Sequence, residues 1–255
     1  MDSVIYGPVP SWRLGRSLGI DLLSTKGKTC SFDCIYCQLG KTVHPLTERK
    51  EFVNLDKLAV ELKKVREIPA DYATFSGVGE PTLASNFGEA IKLVKAALKL
   101  PVAVLTNSSL MAREDVRHDL SLADVVVAKM DAPNEELFQQ ISRPVTRQKL
   151  DEILRALMLF RKEYKGKLAL QMMFVEENKG YALEMARIAK QLLPDEVQIN
   201  TPLRPCAVQP LSPEEIAAIR RAFSSLKGVV TVYEAPRPEA TPFNQKETLL
   251  RRPTL

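Results

Sequence analysis

Three closely spaced cysteines are the residues of this sequence best suited to chemistry. Cys30, Cys34 and Cys37 form a CxxxCxxC pattern within KTCSFDCIYCQLG, soon after the apolar run SLGIDLL. Three thiolates can ligate three irons of a four-iron, four-sulfur cluster, and the fourth iron then stays open to a small molecule. Clusters that only transfer electrons usually have four cysteine ligands. The triad therefore predicts a [4Fe-4S] cluster with a catalytic role.

Two other uses of the triad fit the sequence less well. A structural zinc site needs four ligands, and beyond the triad the chain has one cysteine, Cys206, and two histidines, His44 and His118. A zinc knuckle closed by His44 stays open as an alternative. A disulfide is disfavoured because the cysteines are too tightly spaced and no signal peptide indicates an oxidising compartment. Cys206 is expected to behave as a small hydrophobic residue.

The composition predicts an ordinary soluble protein with a substantial core. The chain has 255 residues, of which 45% are hydrophobic and 26% charged, which suits one large α/β domain. Its apolar runs are too short to span a bilayer, so we expect a cytoplasmic protein with no membrane partner. The net charge of +5 is compatible with an anionic partner such as RNA, although the aromatic and basic residues are not interleaved as in single-strand binders.

Apolar, β-branched segments alternate with segments of helical periodicity along the chain. Strands are predicted at 17–23, 72–76, 102–106, 125–130, 168–175 and 196–200, with an edge strand at 229–233. Helices are predicted at 55–67, 87–100, 150–164 and 181–193, and from residue 213 onward. Asn54 and Ser212 are predicted N-caps, and Asn86 with Glu89 has the spacing of a capping box.

This alternation predicts a parallel sheet with right-handed crossovers. Six repeats favour an α/β fold of the partial TIM-type (β/α)6 barrel with parallel strands. A dinucleotide-binding fold is disfavoured because no GxGxxG follows the first strand. We expect residues 1–235 to form the core domain and the charged, proline-rich residues 236–255 to form a C-terminal tail outside the barrel.

Polar residues follow each of the six predicted strands before the edge strand at its carboxyl end, where parallel β/α folds place their active sites. Taken singly, the glycines suit turns and Asn107 suits a helix cap, and the repetition over six strands is what indicates an active site at this rim. After the cysteine loop, these residues are Gly77, Gly79, Glu80, Asn107, Ser108, Lys129, Asp131, Glu176, Asn200 and Arg204.

The segments CIYC and SGVGEPTL resemble motifs of the radical S-adenosylmethionine (SAM) superfamily. The resemblance implies that the triad binds a [4Fe-4S] cluster and that Tyr36 packs on the adenine of SAM. It implies that Gly77, Gly79 and Glu80 contact the amino group of the methionine moiety. It also implies that five other rim residues help to bind SAM, namely Asn107, Ser108, Lys129, Asp131 and Asn200.

Four further segments resemble the branch of wyosine-synthetase-like iron–sulfur oxidoreductases, over almost the whole chain. They are YGPVPSWRLGRSLGIDLL, VAKMDAP, ISRPV and QINTPLRP. Trp12 stands where that branch more often has a basic residue, and no cysteine precedes Cys30, whereas wyosine-forming enzymes carry an upstream cysteine set. The resemblance thus implies the cofactor chemistry more directly than the tRNA reaction.

The implied reaction is cleavage of SAM to methionine and a 5′-deoxyadenosyl radical, which abstracts hydrogen from RNA or a small metabolite. An electron donor such as flavodoxin or ferredoxin is the expected partner, with RNA as a second. Arg13, Arg143 and Arg204 are candidate substrate contacts because guanidinium groups suit phosphate or carboxylate. Two alternatives stay open: an activase that installs a glycyl radical on a protein, and a non-enzymatic metal- or RNA-binding module.

Overall fold

The computed structural model describes residues 2–146 and 148–253. Within these ranges the strands are β1 (Ile5–Ser11), β2 (Gly15–Ile20), β3 (Thr29–Cys30), β4 (His44–Pro45), β5 (Tyr72–Phe75), β6 (Val102–Thr106), β7 (Val125–Lys129), β8 (Lys167–Met173), β9 (Glu196–Asn200) and β10 (Val229–Thr231). The helices are α1 (Leu55–Lys64), α2 (Phe87–Ala97), α3 (Glu114–Ser121), α4 (Glu135–Ile141), α5 (Leu150–Glu163), α6 (Ala182–Leu192), α7 (Pro213–Ala222) and α8 (Gln245–Arg251). None of these helices is long and apolar enough to cross a membrane.

Eight of the strands form one curled sheet in the order β1-β2-β5-β6-β7-β8-β9-β10. The strands from β2 to β10 pair in parallel, and β1 pairs antiparallel with β2. Because β1 and β10 are the two edges, the sheet is a half-barrel that is open along one side. The predicted partial barrel is confirmed, and the predicted last strand is an edge strand.

The main core lies between the sheet and the helices on its outer face. Aromatic pairs join the two layers: Phe75 at the end of β5 meets Phe87 of α2 with ring centroids 5.3 Å apart. Buried strand residues on both faces are expected for parallel sheets, which are covered on each side. A smaller cluster fills the inside of the half-barrel and consists of Leu14, Ala103, Val125, Val127 and Ala169.

Local capping explains where several helices begin. The Asn54 side chain accepts a hydrogen bond from Asp56 N at the start of α1, and Ser212 forms a complete capping box with Glu215 at the start of α7. The capping box predicted at Asn86 is wrong. The Asn86 amide donates instead to the Val53 carbonyl at 2.8 Å, which ties the start of α2 to the preceding loop.

Two of the differences between the observed and the predicted strands have clear local causes. The predicted strand at 17–23 ends at Ile20, because the Asp21 carboxylate accepts hydrogen bonds from the backbone of Leu23 and Ser24 and turns the chain. Strand β1 has no counterpart among the predicted strands, because Gly7, Pro8 and Pro10 are residue types that strands usually lack. Proline is tolerated there since an edge strand has backbone positions that need no ladder bond.

The predicted C-terminal tail contributes to the folded core. Helix α8 packs against β1, and the Phe243 backbone N–H donates to the Gly7 carbonyl at 2.8 Å. Arg251 is 1% exposed. Residues 245–251 of the predicted tail thus form a helix against the edge strand β1. So short a helix has no clear periodic pattern in the sequence. The last residues of that tail, 254–255, lie outside the described residues.

Candidate active site

The cysteine loop follows β2 and is held by backbone hydrogen bonds at both of its turns. Cys37 N donates to the Cys34 carbonyl at 3.1 Å, and Gly40 N donates to the Cys37 carbonyl at 3.0 Å. The end of α4 supports the loop from outside, where Ile35 N donates to the Ile141 carbonyl at 3.0 Å. These contacts fix the loop without using the thiols, which are therefore available as ligands.

All three cysteines of the triad are free thiols that line one cavity of about 140 Å³ above the carboxyl ends of the strands. The cavity brings together residues from segments far apart in sequence. The rest of its lining is Lys28, Tyr36, Leu39, Gly79, Glu80, Leu105, Thr106, Asn107, Val127, Lys129 and Gln171.

Glu80 is the most extensively hydrogen-bonded side chain of this cavity. Its Oε1 accepts bonds from Thr82 N, Thr82 Oγ1 and Thr106 Oγ1, and its Oε2 accepts one at 2.6 Å from Asn107 N. Burial raises the pKa of Glu80, and these donors partly offset the shift. A carboxylate oxygen has two lone pairs, so Oε2 keeps room for one more donor, which suits the predicted contact with an ammonium group.

The glycines before Glu80 are required by close packing. A Cβ on Gly79 would lie 1.5 Å from the Thr29 carbonyl oxygen, and a Cβ on Gly77 would lie 2.2 Å from the Asp21 carboxyl carbon. The same segment is bonded to β3, since Thr29 N donates to the Val78 carbonyl at 2.9 Å. Gly79 lines the cavity, whereas Gly77 does not and lies against Asp21 instead.

Asn107 and Ser108 follow β6 and have different surroundings. The Asn107 amide donates to Ser31 Oγ at 2.9 Å and lies 3.6 Å from the Cys30 sulfur. Ser108 is fully buried and donates from Oγ to the Lys129 carbonyl at 3.2 Å. Asn107 therefore faces the cysteine cavity, whereas the hydroxyl of Ser108 is turned towards β7.

Tyr36, Lys129 and Asp131 form a compact group beside the triad. The Tyr36 hydroxyl donates to Asp131 Oδ2. The Lys129 ammonium lies 4.4 Å from the Tyr36 ring centroid and 3.5 Å from Asp131 Oδ2. Burial lowers the pKa of Lys129, but Cys34, Asp131 and the other two cysteines outweigh it and raise the pKa overall. Lys129 is thus a cation facing the thiols.

Burial disfavours the thiolate form of two of the cysteines, Cys30 and Cys34. It raises the pKa of Cys30 to about 12, with Lys28 opposing the shift, and raises the pKa of Cys34, with Lys129 and Lys28 opposing it. Because the thiolate is the form that binds metal, the two lysines favour the ligating state. Lys28 is 4% exposed, so solvent screens its charge only weakly.

A wider cavity of about 420 Å³ adjoins the first and shares Tyr36, Cys37 and Gln171 with it. It lies along the open side of the half-barrel, since residues of β1 and residues beyond β10 both line it. Besides Tyr36 and Cys37, its lining includes three more predicted site residues, Asn200, Arg13 and Arg204. The two cavities together offer a small compartment at the cysteines and a larger one beside it.

The sequence matches known proteins over most of its length. Residues 25–189 match the sequence profile of the Radical SAM superfamily. The chain belongs to the radical SAM superfamily. Membership implies an enzyme whose cofactors are SAM and an iron–sulfur cluster.

The chain is also similar to a curated relative in sequence and to solved structures in fold. This radical SAM protein is 36% identical over 235 residues to a UPF0026 protein of Methanocaldococcus jannaschii, covering 89% of this chain and 72% of that protein. Its fold resembles TYW1 with a lysine-pyruvate adduct bound, with a TM-score of 0.65, 15% identity, and coverage of 82% and 73% of the two chains. It also resembles anSMEcpe with bound AdoMet, with a TM-score of 0.64, 21% identity, and coverage of 85% and 64%.

Not every predicted site residue of the radical SAM protein lies at the cavities. Arg143 is exposed and lines neither cavity. Its backbone carbonyl accepts from Asp33 N at 3.0 Å, which gives it a place in supporting the cysteine loop. Asp131 lies behind Tyr36, where its Oδ1 also accepts from Met173 N at 2.8 Å.

Sequence reasoning missed three residues of the site. Lys28 precedes the triad, and Gln171 interrupts the apolar strand LALQMMF, so both carried a usable signal. Gln38 directly follows the triad; its Oε1 accepts from Arg204 Nη1 at 2.8 Å and its Nε2 donates to the Arg251 carbonyl at 3.2 Å. That role depends on contacts between distant segments, which no local pattern predicts.

The zinc alternative finds no support in the described part of the chain. There, no group of three or more histidine, cysteine, aspartate or glutamate side chains comes close enough to hold one metal ion. The His44 ring lies 3.0 Å from the Lys26 carbonyl and lines a different cavity from the triad. A cluster does not need such convergence, because each thiolate binds a different iron.

Proposed function

We propose that this protein is a radical SAM enzyme that binds a [4Fe-4S] cluster through Cys30, Cys34 and Cys37. When bound, the reduced cluster supplies the electron that cleaves SAM to methionine and a 5′-deoxyadenosyl radical, which abstracts hydrogen from RNA or a small metabolite. The electron comes from a protein donor such as flavodoxin or ferredoxin. The single observation that carries the proposal is the placement of three free thiols around one cavity at the carboxyl-end rim.

The residues present fit such a group. Three soft sulfur ligands suit iron–sulfur chemistry, and Lys28 and Lys129 lie where positive charge compensates a negatively charged set of thiolates. The Asn107 amide lies 3.6 Å from the Cys30 sulfur, in the manner of the hydrogen bonds that tune sulfur ligands.

The chain's own residues bind and orient SAM. The free acceptor site of Glu80 Oε2 and the Gly79 backbone suit the ammonium of the methionine moiety, because carboxylates and carbonyls accept its hydrogen bonds. Lys129 suits the carboxylate of the same moiety. The wider cavity, which reaches Cys37 and Tyr36, accommodates the substrate, and the surrounding barrel excludes water from the reacting atoms.

The test is cluster loading under anaerobic conditions. Wild-type protein should bind about four irons and four sulfides per chain, and Cys30→Ala, Cys34→Ala and Cys37→Ala should each lose stable loading. The matched control is Cys206→Ala, because the Cys206 thiol lines neither cavity and donates to the Val208 carbonyl at 3.2 Å. Stoichiometric zinc without sulfide, or equal loading of all four variants, would contradict the proposal.

A further inference from the structure

Among residues 2–146 and 148–253, four arginines and no aspartate or glutamate line the wider cavity. They are Arg13, Arg204, Arg237 and Arg252. Each comes from a different part of the fold: the turn between β1 and β2, the loop after β9, the segment after β10 and the residue after α8. Because four distant segments bring the same side-chain type to one cavity, the arrangement belongs to the tertiary structure and not to a local basic run.

These arginines lack acidic partners within residues 2–146 and 148–253. Salt bridges there involve other arginines, such as Arg16 with Asp71 and Arg251 with Asp21. Arg204 instead donates to the neutral Gln38 at 2.8 Å, and the Nε of Arg13 is buried without a hydrogen-bond partner.

Arg13 and Arg204 lie close enough to other arginines of the cavity for the pKa of each to be lowered by them. Burial lowers the pKa of Arg204 to about 9, and Arg252, Arg13 and Arg237 lower it further. Burial and then Arg252 lower the pKa of Arg13 to about 10, and Glu196 opposes the shift. Glu196 itself is paired with Lys167 at 2.6 Å. Arg13 and Arg204 remain charged at neutral pH, so an anion in the cavity would relieve the repulsion between like charges.

SAM does not account for this much positive charge. Its single carboxylate is accompanied by a sulfonium and an ammonium, and the molecule is a net cation. Guanidinium groups bind phosphate through paired hydrogen bonds, and a phosphate ester or diphosphate carries the several negative charges that four arginines can neutralise. The cavity of about 420 Å³ is of the size of ordinary small-ligand sites.

We propose that Arg13, Arg204, Arg237 and Arg252 bind a phosphate group of the substrate. The proposal rests on the proposed function. It names the substrate class as phosphate-bearing, either a phosphorylated metabolite or a phosphate of RNA. Since Cys37 and Tyr36 line the same cavity, a ligand anchored by its phosphate at the arginines has its remaining atoms next to the cysteine compartment.

Trp12 provides the measurement. It is the chain's single tryptophan, it lines the cavity, and the Arg13 guanidinium lies 5.2 Å from its ring centroid. Inorganic pyrophosphate titrated into the cluster-free full-length protein should therefore change Trp12 fluorescence in a saturable way. Arg204→Gln and Arg252→Gln should each weaken binding by about tenfold or more, as expected for loss of a charged hydrogen bond.

The matched control is Arg155→Gln, which removes an equal charge from an exposed pair with Asp151 on α5 and should bind pyrophosphate like the wild type. Circular dichroism establishes that each variant is folded. The phosphate assignment is overturned if wild type shows no saturable change, if the two cavity variants titrate like Arg155→Gln, or if citrate binds as tightly as pyrophosphate.

Competition identifies the source of the phosphate. In equilibrium dialysis, unfractionated tRNA is added to protein that has bound radiolabelled pyrophosphate. Displacement of the pyrophosphate indicates that the phosphate belongs to RNA, and unchanged binding indicates a small phosphorylated substrate. Either result supports the arginine site. The binding measurement needs no cluster. If pyrophosphate binds but the cluster does not load, only the proposed function is refuted. If the cluster loads but pyrophosphate does not bind, only the arginine site is refuted.

Discussion

Glu80 shows how one side chain joins the structure of the rim to its chemistry. Its carboxylate connects the loop after β5 to the end of β6 through Thr106 and Asn107, and the Asn107 amide in turn reaches Ser31 and the Cys30 sulfur. A change at Glu80 therefore disturbs both the hydrogen bonds of the rim and the contact of Asn107 with the Cys30 sulfur.

Replacing Glu80 with Gln should destabilise the protein and weaken SAM binding. The glutamine presents one acceptor where two are needed, so a buried N–H such as that of Asn107 loses its partner, at a cost of about 1–3 kcal/mol. Urea unfolding and equilibrium dialysis with SAM measure the two effects. Glu89→Gln is the control, because Glu89 forms an exposed pair with Lys92; equal results for both variants would refute this role.

At the scale of residues, much of the site was predictable because parallel strands bring their carboxyl ends together. That rule was enough to gather Glu80, Asn107 and Lys129 around the triad. It did not reveal which side chains face inward: Ser108 donates to the backbone of β7, and Arg143 supports the cysteine loop through its carbonyl. Side-chain direction at a strand end depends on turn geometry, which residue types alone do not fix.

Helix α8 is held by the two salt bridges of Arg251, whose side chains are almost fully buried. The Arg251 guanidinium lies 2.8 Å from Asp21 Oδ2 and 2.6 Å from Glu247 Oε2, and it donates to the Ser3 carbonyl at 2.7 Å. Asp21 also forms the turn after β2, so α8 is linked to the start of the cysteine loop. The backbone carbonyl of Arg251 adds a second link through Gln38.

Arg251→Met should lower the free energy of unfolding by about 3–5 kcal/mol, because it leaves two buried carboxylates without their cation. Chemical denaturation is the measurement. Arg155→Met, which removes an exposed pair within one helix, should cost less than about 1 kcal/mol. Losses of similar size in the two variants would show that α8 is not anchored as described.

Helix α3 should make stability sensitive to acid. A hydrogen bond from Arg113, opposed by burial and reinforced by Arg49, lowers the pKa of Asp115 to about 2. A carboxyl with a depressed pKa contributes stability above its unfolded pKa of about 4 and loses that contribution as the pH falls towards about 2. The effect is small because Asp115 is half exposed.

The variant Asp115→Asn should therefore show a flatter dependence of urea midpoint on pH between about 4 and 2 than wild type, with a somewhat lower midpoint at neutral pH. Glu114→Gln on the same helix provides the control for a change of net charge. A wild-type slope in Asp115→Asn would mean that the contacts with Arg113 and Arg49 do not stabilise the fold.

At the scale of the molecule, the order of strands and helices was predictable, and the closure of the half-barrel was not. Alternating apolar and helical segments led to the parallel sheet. Its open side depends on β1 and on the C-terminal segment, which pack together from opposite ends of the chain. Contacts between residues so far apart in sequence produce no periodic pattern, so the sequence does not predict them. The same contacts bring Arg252 and Arg13 to the wider cavity.

The most direct test of the whole account is the release of 5′-deoxyadenosine and methionine from SAM by the anaerobically reconstituted protein in dithionite. Wild type and Cys206→Ala should both form the two products, slowly and in equal amounts, even without substrate. Cys30→Ala, Cys34→Ala and Cys37→Ala should form neither. Product formation that persists in the triad variants, or its absence from a wild-type protein loaded with iron and sulfide, would contradict the assignment of the triad as the centre of radical SAM chemistry.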